Sequence, residues 1–95
     1  MNLVYGDEVP RGKFSGRPIS EWSRGAVMAA WKVHVENRYF LAFMLAKGNV
    51  GERMKASQEL SVADRKISFW ERHPAFDAAE AGQINTQIKR NWAGR

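Results

Sequence analysis

Two short breaks, Gly48-Asn49 and His73-Pro74, divide the chain beyond residue 19 into three stretches, each long enough for a helix. Glycine and asparagine are common helix stops, and Lys47 just before them suits the negative end of a helix dipole. The residue before a proline is pushed out of the α region, so a second helix must end at about His73. Upstream of residue 20, Gly6, Pro10, Gly12, Gly16 and Pro18 leave no room for a long element. Residues 1–19 therefore read as an irregular leader, in which Leu3, Val4 and Tyr5 form a short arm that docks.

The first stretch reads as a helix over about 20–47. Ser20 is placed to cap the free N–H groups of the first turn, and Glu21 suits the positive end of the dipole. Trp22, Ala26, Ala29, Ala30, Val33, Phe40, Leu41, Met44 and Leu45 then give it broad apolar faces. A β-hairpin competes over residues 31–45. Trp31 to Val35 alternates in polarity, Glu36-Asn37 is a turn candidate, and Arg38 to Leu45 is rich in strand formers. That turn lacks glycine and helical spacing continues through it, which favours the helix.

The second helix is expected over about 52–72, with Leu60, Ala63, Ile67 and Trp70 in one narrow apolar stripe. The third, about 77–92, opens on Asp77 with Glu80 three residues on, the pattern of a capping box. Ala81, Ile84, Ile88 and Trp92 share its inner face, and Gly94 is a plausible stop. The expected fold is all-α: a compact three-helix bundle forming one domain over 20–95, preceded by the leader 1–19.

Composition narrows the function classes. At 95 residues the chain is one domain's worth, and 44% hydrophobic content with four Trp and five Phe supplies a real core. The absence of cysteine removes disulfides, thiolate metal sites and cysteine nucleophiles. The first eight residues lack the charged start and apolar core of a signal peptide. The most apolar run, Tyr39 to Ala46, is far shorter than the roughly 20 residues a membrane span needs. A soluble, cytoplasmic protein without membrane contact is expected. The net charge of +5 favours a polyanionic partner, but it is spread along the chain with no basic block.

Catalysis has no visible machinery. There is no P-loop, no dinucleotide glycine pattern and no nucleophile elbow. The two histidines, His34 and His73, lie on different elements, so no metal site is expected. Glu59 and Asp64 read as a solvated helix face. Neither a cofactor nor a small-molecule substrate is expected, and the chain reads as a non-enzyme.

Residues 53–72, Arg-Met-Lys-Ala-Ser-Gln-Glu-Leu-Ser-Val-Ala-Asp-Arg-Lys-Ile-Ser-Phe-Trp-Glu-Arg, resemble the helix-turn-helix of bacterial DNA-binding proteins. The resemblance implies that Ser57 faces the second helix and that Leu60 and Val62 pack around a turn. Ser61 and Asp64 would cap the recognition helix, which Ile67 and Trp70 would anchor. Arg65, Ser68, Phe69 and Arg72 would then meet the major groove, with Lys66 near phosphates. Two departures stand against it. Ser61 occupies the turn position usually held by glycine, and Asp64 and Glu71 bring negative charge to the DNA face. A single uninterrupted helix uses the same apolar stripe.

Lys89, Arg90 and Arg95 cluster near Trp92, a pattern suited either to nucleic acid or simply to a helix C-terminus. Aromatic residues are also in surplus. Trp31, Val35 and Tyr39 lie off the stripe of Ala30, Val33, Leu41 and Met44, so the first helix carries a second apolar face. That face reads either as an interface for a protein partner or homodimer, or as core sandwiched between the other two helices. Two functions follow: a non-catalytic interaction or assembly module working through Trp31, Val35 and Tyr39, or a small DNA-associated regulator using Arg65, Lys66, Ser68, Phe69, Arg72, Lys89 and Arg90.

Overall fold

The computed structural model describes residues 18–93; the Leu3-Val4-Tyr5 arm, Gly94 and Arg95 lie outside them. A 3-10 turn at Ile19–Glu21 leads into α1 (Arg24–Lys47), α2 (Val50–Glu71) and α3 (Ala78–Trp92), with no strand among the described residues. The chain is a three-helix bundle. α2 runs back along α1, with Asp64 on Arg38 and Glu71 on Trp31. α3 then runs parallel to α1, from Asp77 beside Arg24 to Trp92 beside Phe43.

The hairpin alternative over 31–45 does not occur, because α1 is continuous there. The start of α1 differs from expectation. Ser20 sits inside the 3-10 turn, and Ser23 is the N-cap, its Oγ accepting from the Ala26 N–H at 3.3 Å. The shift lets Trp22, in extended backbone, insert its ring against Trp70 at 5.5 Å between centroids.

Residues 48 and 49 alone connect α1 to α2. Asn49 forms a complete capping box with Glu52: its side chain accepts from the Glu52 N–H at 2.8 Å, and Glu52 accepts from the Asn49 N–H at 2.9 Å. This box starts α2 at Val50, two residues before the expected Glu52. At α3, Asp77 accepts from the Glu80 N–H at 3.0 Å.

α2 is unbroken through Ser61, whose hydroxyl donates to the Gln58 carbonyl at 3.4 Å. The helix-turn-helix is therefore absent. The serine tolerates a left-handed turn poorly, and the stripe Leu60, Ala63, Ile67 and Trp70 is satisfied by one straight helix against α1.

The main core gathers Val27, Met28, Ala30, Trp31 and Val35 of α1, Trp70 of α2, and Ala81 and Ile88 of α3. A second, thinner cluster holds Leu41, Ala56 and Ala63 towards the α1–α2 connection. At the opposite end, His73 ties the chain together. Its Nδ1 accepts from the Ala75 N–H at 3.0 Å, so its Nε2 carries the proton and donates to the Ile19 carbonyl at 2.7 Å.

Candidate interaction surfaces

The second apolar face of α1 is core, not surface. Trp31 is 4% exposed and Val35 is equally buried. Trp31 donates through Nε1 to Glu71 at 3.1 Å and meets the edge of Phe76 at 5.6 Å. Tyr39 is half-buried and its hydroxyl donates to Asn85 Oδ1 of α3 at 3.4 Å. The reason is geometric: this face carries the larger rings, and α3 closes over it.

The stripe assigned to the interior is partly outward instead. Val33 is 49% exposed and Met44 half-buried, and Phe40 beside that stripe is 47% exposed. Phe40, Leu41 and Met44 of α1 and Ala56 of α2 line an open trough of about 270 Å³. Its polar borders are Asn37, Glu52, Lys55 and Glu59, with Lys55 and Glu59 paired at 3.8 Å. The trough lies on the side of the α1–α2 pair away from α3, since Tyr39 and Phe43, which meet α3, project from the other flank of α1. Around the hairpin tip, Leu45, Val50 and Met54 are also exposed. Sequence reasoning missed this surface by taking the stripe of Ala30, Val33, Leu41 and Met44 as inward throughout, whereas only Ala30 and Leu41 are buried. The size contrast between that stripe and the ring-bearing Trp31–Tyr39 face was the available signal.

The basic candidates separate into two groups. Arg65, Ser68 and Arg72 are exposed on α2, while Lys66 and Phe69 are half-buried. Lys89 and Arg90 are exposed in the last turn of α3, which ends beside Phe43, whereas Arg72 lies at the other end beside Ile19 and His73. The antiparallel course of α2 and α3 keeps the two groups apart. The two acidic residues expected to spoil the α2 face are each bonded to α1, but both stay exposed to solvent. Asp64 accepts from Arg38 Nε at 2.6 Å, and Glu71 accepts from Trp31.

Among the described residues no group of three or more histidines or carboxylates is placed to hold a metal ion. His34 is buried within α1 and His73 serves the fold. No described helix is long and apolar enough to cross a membrane. The carboxyl of Asp77 is held below its ordinary value, first by the Glu80 N–H, against an opposing effect of desolvation, with Ala79 N–H and the Arg24 guanidinium adding to the lowering. That is a helix cap, not a reactive group. Comparison with protein families, with curated proteins and with solved structures finds no match.

Proposed function

We propose that this chain is a non-catalytic assembly module that pairs with a second copy of itself through the trough between α1 and α2. The observation that carries this reading is the exposed stripe of Val33, Phe40 and half-buried Met44 beside a trough floored by Leu41 and Ala56. α3 covers one side of the α1–α2 pair; a second copy's α1–α2 pair would cover the other and complete a four-helix core.

Two features favour a second copy as the occupant. Val33, Asn37, Phe40 and Met44 follow a 4-3-4 spacing, the register in which one helix seats knobs into another. Asn37 is polar within that seam, and a two-fold axis brings each Asn37 towards its own copy, where amide groups satisfy one another. The borders also carry both signs, Glu52 and Glu59 with Lys55, which an identical surface can match by re-pairing. The present Lys55–Glu59 pair is solvent-exposed and contributes little that would resist this.

Light scattering at low and moderate salt tests it. The wild-type protein should have the mass of a dimer at both, and Phe40→Glu should give a monomer with unchanged helical circular dichroism. A wild-type monomer at every accessible concentration would overturn the reading.

A further inference from the structure

The fold gathers charge that the sequence spreads. α1 and α3 end, and α2 begins, at one end of the bundle, with Trp92 beside Phe43 about one helical turn short of the Gly48-Asn49 connection. Lys47, Arg53, Lys89 and Arg90 are all exposed there, and none of them forms an ion pair with a described residue. Glu52 is the carboxylate among them, and it accepts from the Asn49 N–H. Lys55 and Glu59, further along α2, pair with each other. The opposite end is reversed in sign, because Glu21, Glu71, Asp77 and Glu80 outnumber Arg24 and Arg72.

The cationic end is also apolar at its apex. Val50 is 72%, Met54 62% and Leu45 41% exposed. Val50 and Met54 lie one turn apart on one face of α2, and Ala56, buried against α1, lies on the far side of the helix from Met54. That face therefore looks outward, and none of the three side chains lines the trough. Helix dipoles account for Lys47, Lys89 and Arg90, which lie in last turns. They do not account for Arg53 near the start of α2, nor for the aliphatic side chains. Arg53 Nε donates to the Gly48 carbonyl at 3.0 Å, which holds its guanidinium at the tip.

We infer that this end of the bundle docks on an anionic lipid surface, with Leu45, Val50 and Met54 entering the acyl boundary and Lys47, Arg53, Lys89 and Arg90 meeting lipid phosphates. Aliphatic side chains match acyl chains and give a base no ring to stack on, which sets a membrane apart from a nucleic acid as the partner. A protruding apex ringed by cations suits a soft anionic boundary. There the Lys and Arg stems lie along apolar surface while their charges stay at the headgroups. The acidic opposite end is repelled by the same surface, so the bundle approaches tip first. The expectation against membrane contact considers spans, and no described helix could supply one; surface docking needs none. Because the apex lies outside the trough lining, docking and dimer formation stand or fall separately.

Flotation of the full chain with lipid vesicles tests the inference. The protein should float with phosphatidylcholine mixed about three to one with phosphatidylserine, and much less with phosphatidylcholine alone. Raising salt should release it. Lys89→Gln/Arg90→Gln should weaken binding by about fivefold per charge removed. Val50→Thr/Met54→Gln keeps the charge and nearly the shape, and should weaken binding by about tenfold or more with helical circular dichroism and solution mass unchanged. Absence of flotation overturns the inference, and so does equal binding to the two vesicle types. Wild-type binding by Val50→Thr/Met54→Gln would leave the apex outside the lipid and also overturn it. A change of solution mass in that variant would assign the apex to a second copy instead. A labelled oligothymidine that binds more tightly than the mixed vesicles, and loses affinity in Lys89→Gln/Arg90→Gln, would make the tip a nucleic-acid contact and reject the lipid reading.

Discussion

Trp31 Nε1 and Glu71 Oε2 are joined at 3.1 Å, so the largest ring of α1 is held by the last residue of α2. One contact thereby satisfies the indole N–H of a buried ring with a carboxylate that stays exposed to solvent. Trp31→Phe keeps most of the apolar volume against Phe76 but loses that bond. It should cost about 1–2 kcal/mol, towards the low end for a bond to a charged group because Glu71 is exposed to water. Trp31→Ala also leaves a cavity and should cost about 3–5 kcal/mol. Urea denaturation checks both. A Trp31→Asp chain that stayed folded as a monomer would contradict the placement of Trp31 in the core.

Ser61 distinguishes a continuous α2 from a broken one. In a helix interior, Ser61→Ala should stabilise the protein by about 0.5 kcal/mol and Ser61→Gly should destabilise it by a similar amount. Ser61→Pro should cost about 3 kcal/mol or more. A turn at this position would invert the glycine result, because glycine relieves a left-handed backbone. Thermal melts of the three variants decide it.

The bundle was legible because Gly48-Asn49, Pro74 and the Asp77–Glu80 spacing act locally, through backbone geometry and caps. Asn49 and Glu52 repeat the Asp77–Glu80 spacing, so the true start of α2 was also present as a signal. Ser20 and Ser23 are less separable in sequence. Only tertiary packing, the insertion of Trp22 onto Trp70, selects Ser23 as the cap. Which side of α1 stays exposed was not legible for the same kind of reason. A helix apolar on two sides does not state which side its neighbours take, and Trp31 and Val35 are core only because α3 arrives over them. Nor does the order Asp64-Arg65 and Glu71-Arg72 reveal that the acids will bond to Arg38 and Trp31 of α1.

Asp77 couples the bundle to acid. Its folded value lies below the ordinary 3.8, chiefly because the carboxylate accepts from the Glu80 N–H. A depressed carboxyl contributes stability that is fully present above its unfolded value and is lost as pH falls through the folded one. Wild type should therefore exceed Asp77→Ala in melting temperature above pH 3.8, and the gap should close progressively below it. The Arg24 contact at 3.1 Å is lost over the same range, so Arg24→Gln should narrow the effect without abolishing it. Melting curves across an acid pH series measure this, and a gap independent of pH would remove Asp77 ionisation as the cause.

Gly48 makes the sharpest steric prediction. Its φ of −78° is open to any residue, so backbone freedom does not explain the glycine. A Cβ there would lie 2.5 Å from the Met44 carbonyl oxygen and 2.9 Å from the Glu52 Cβ, both held by the hairpin tip. Gly48→Ala must shift α1 against the capping box of α2, and should cost about 1–3 kcal/mol. Gly82 in α3 is the matched control, with nothing within 4 Å of an added Cβ. Gly82→Ala should stabilise by about 1 kcal/mol through helix propensity alone. Opposite signs for the two substitutions in urea denaturation are the expected outcome. Equal stabilisation would mean that α1 and α2 do not approach this closely at residues 44–52, and the trough beside them would have to be redrawn.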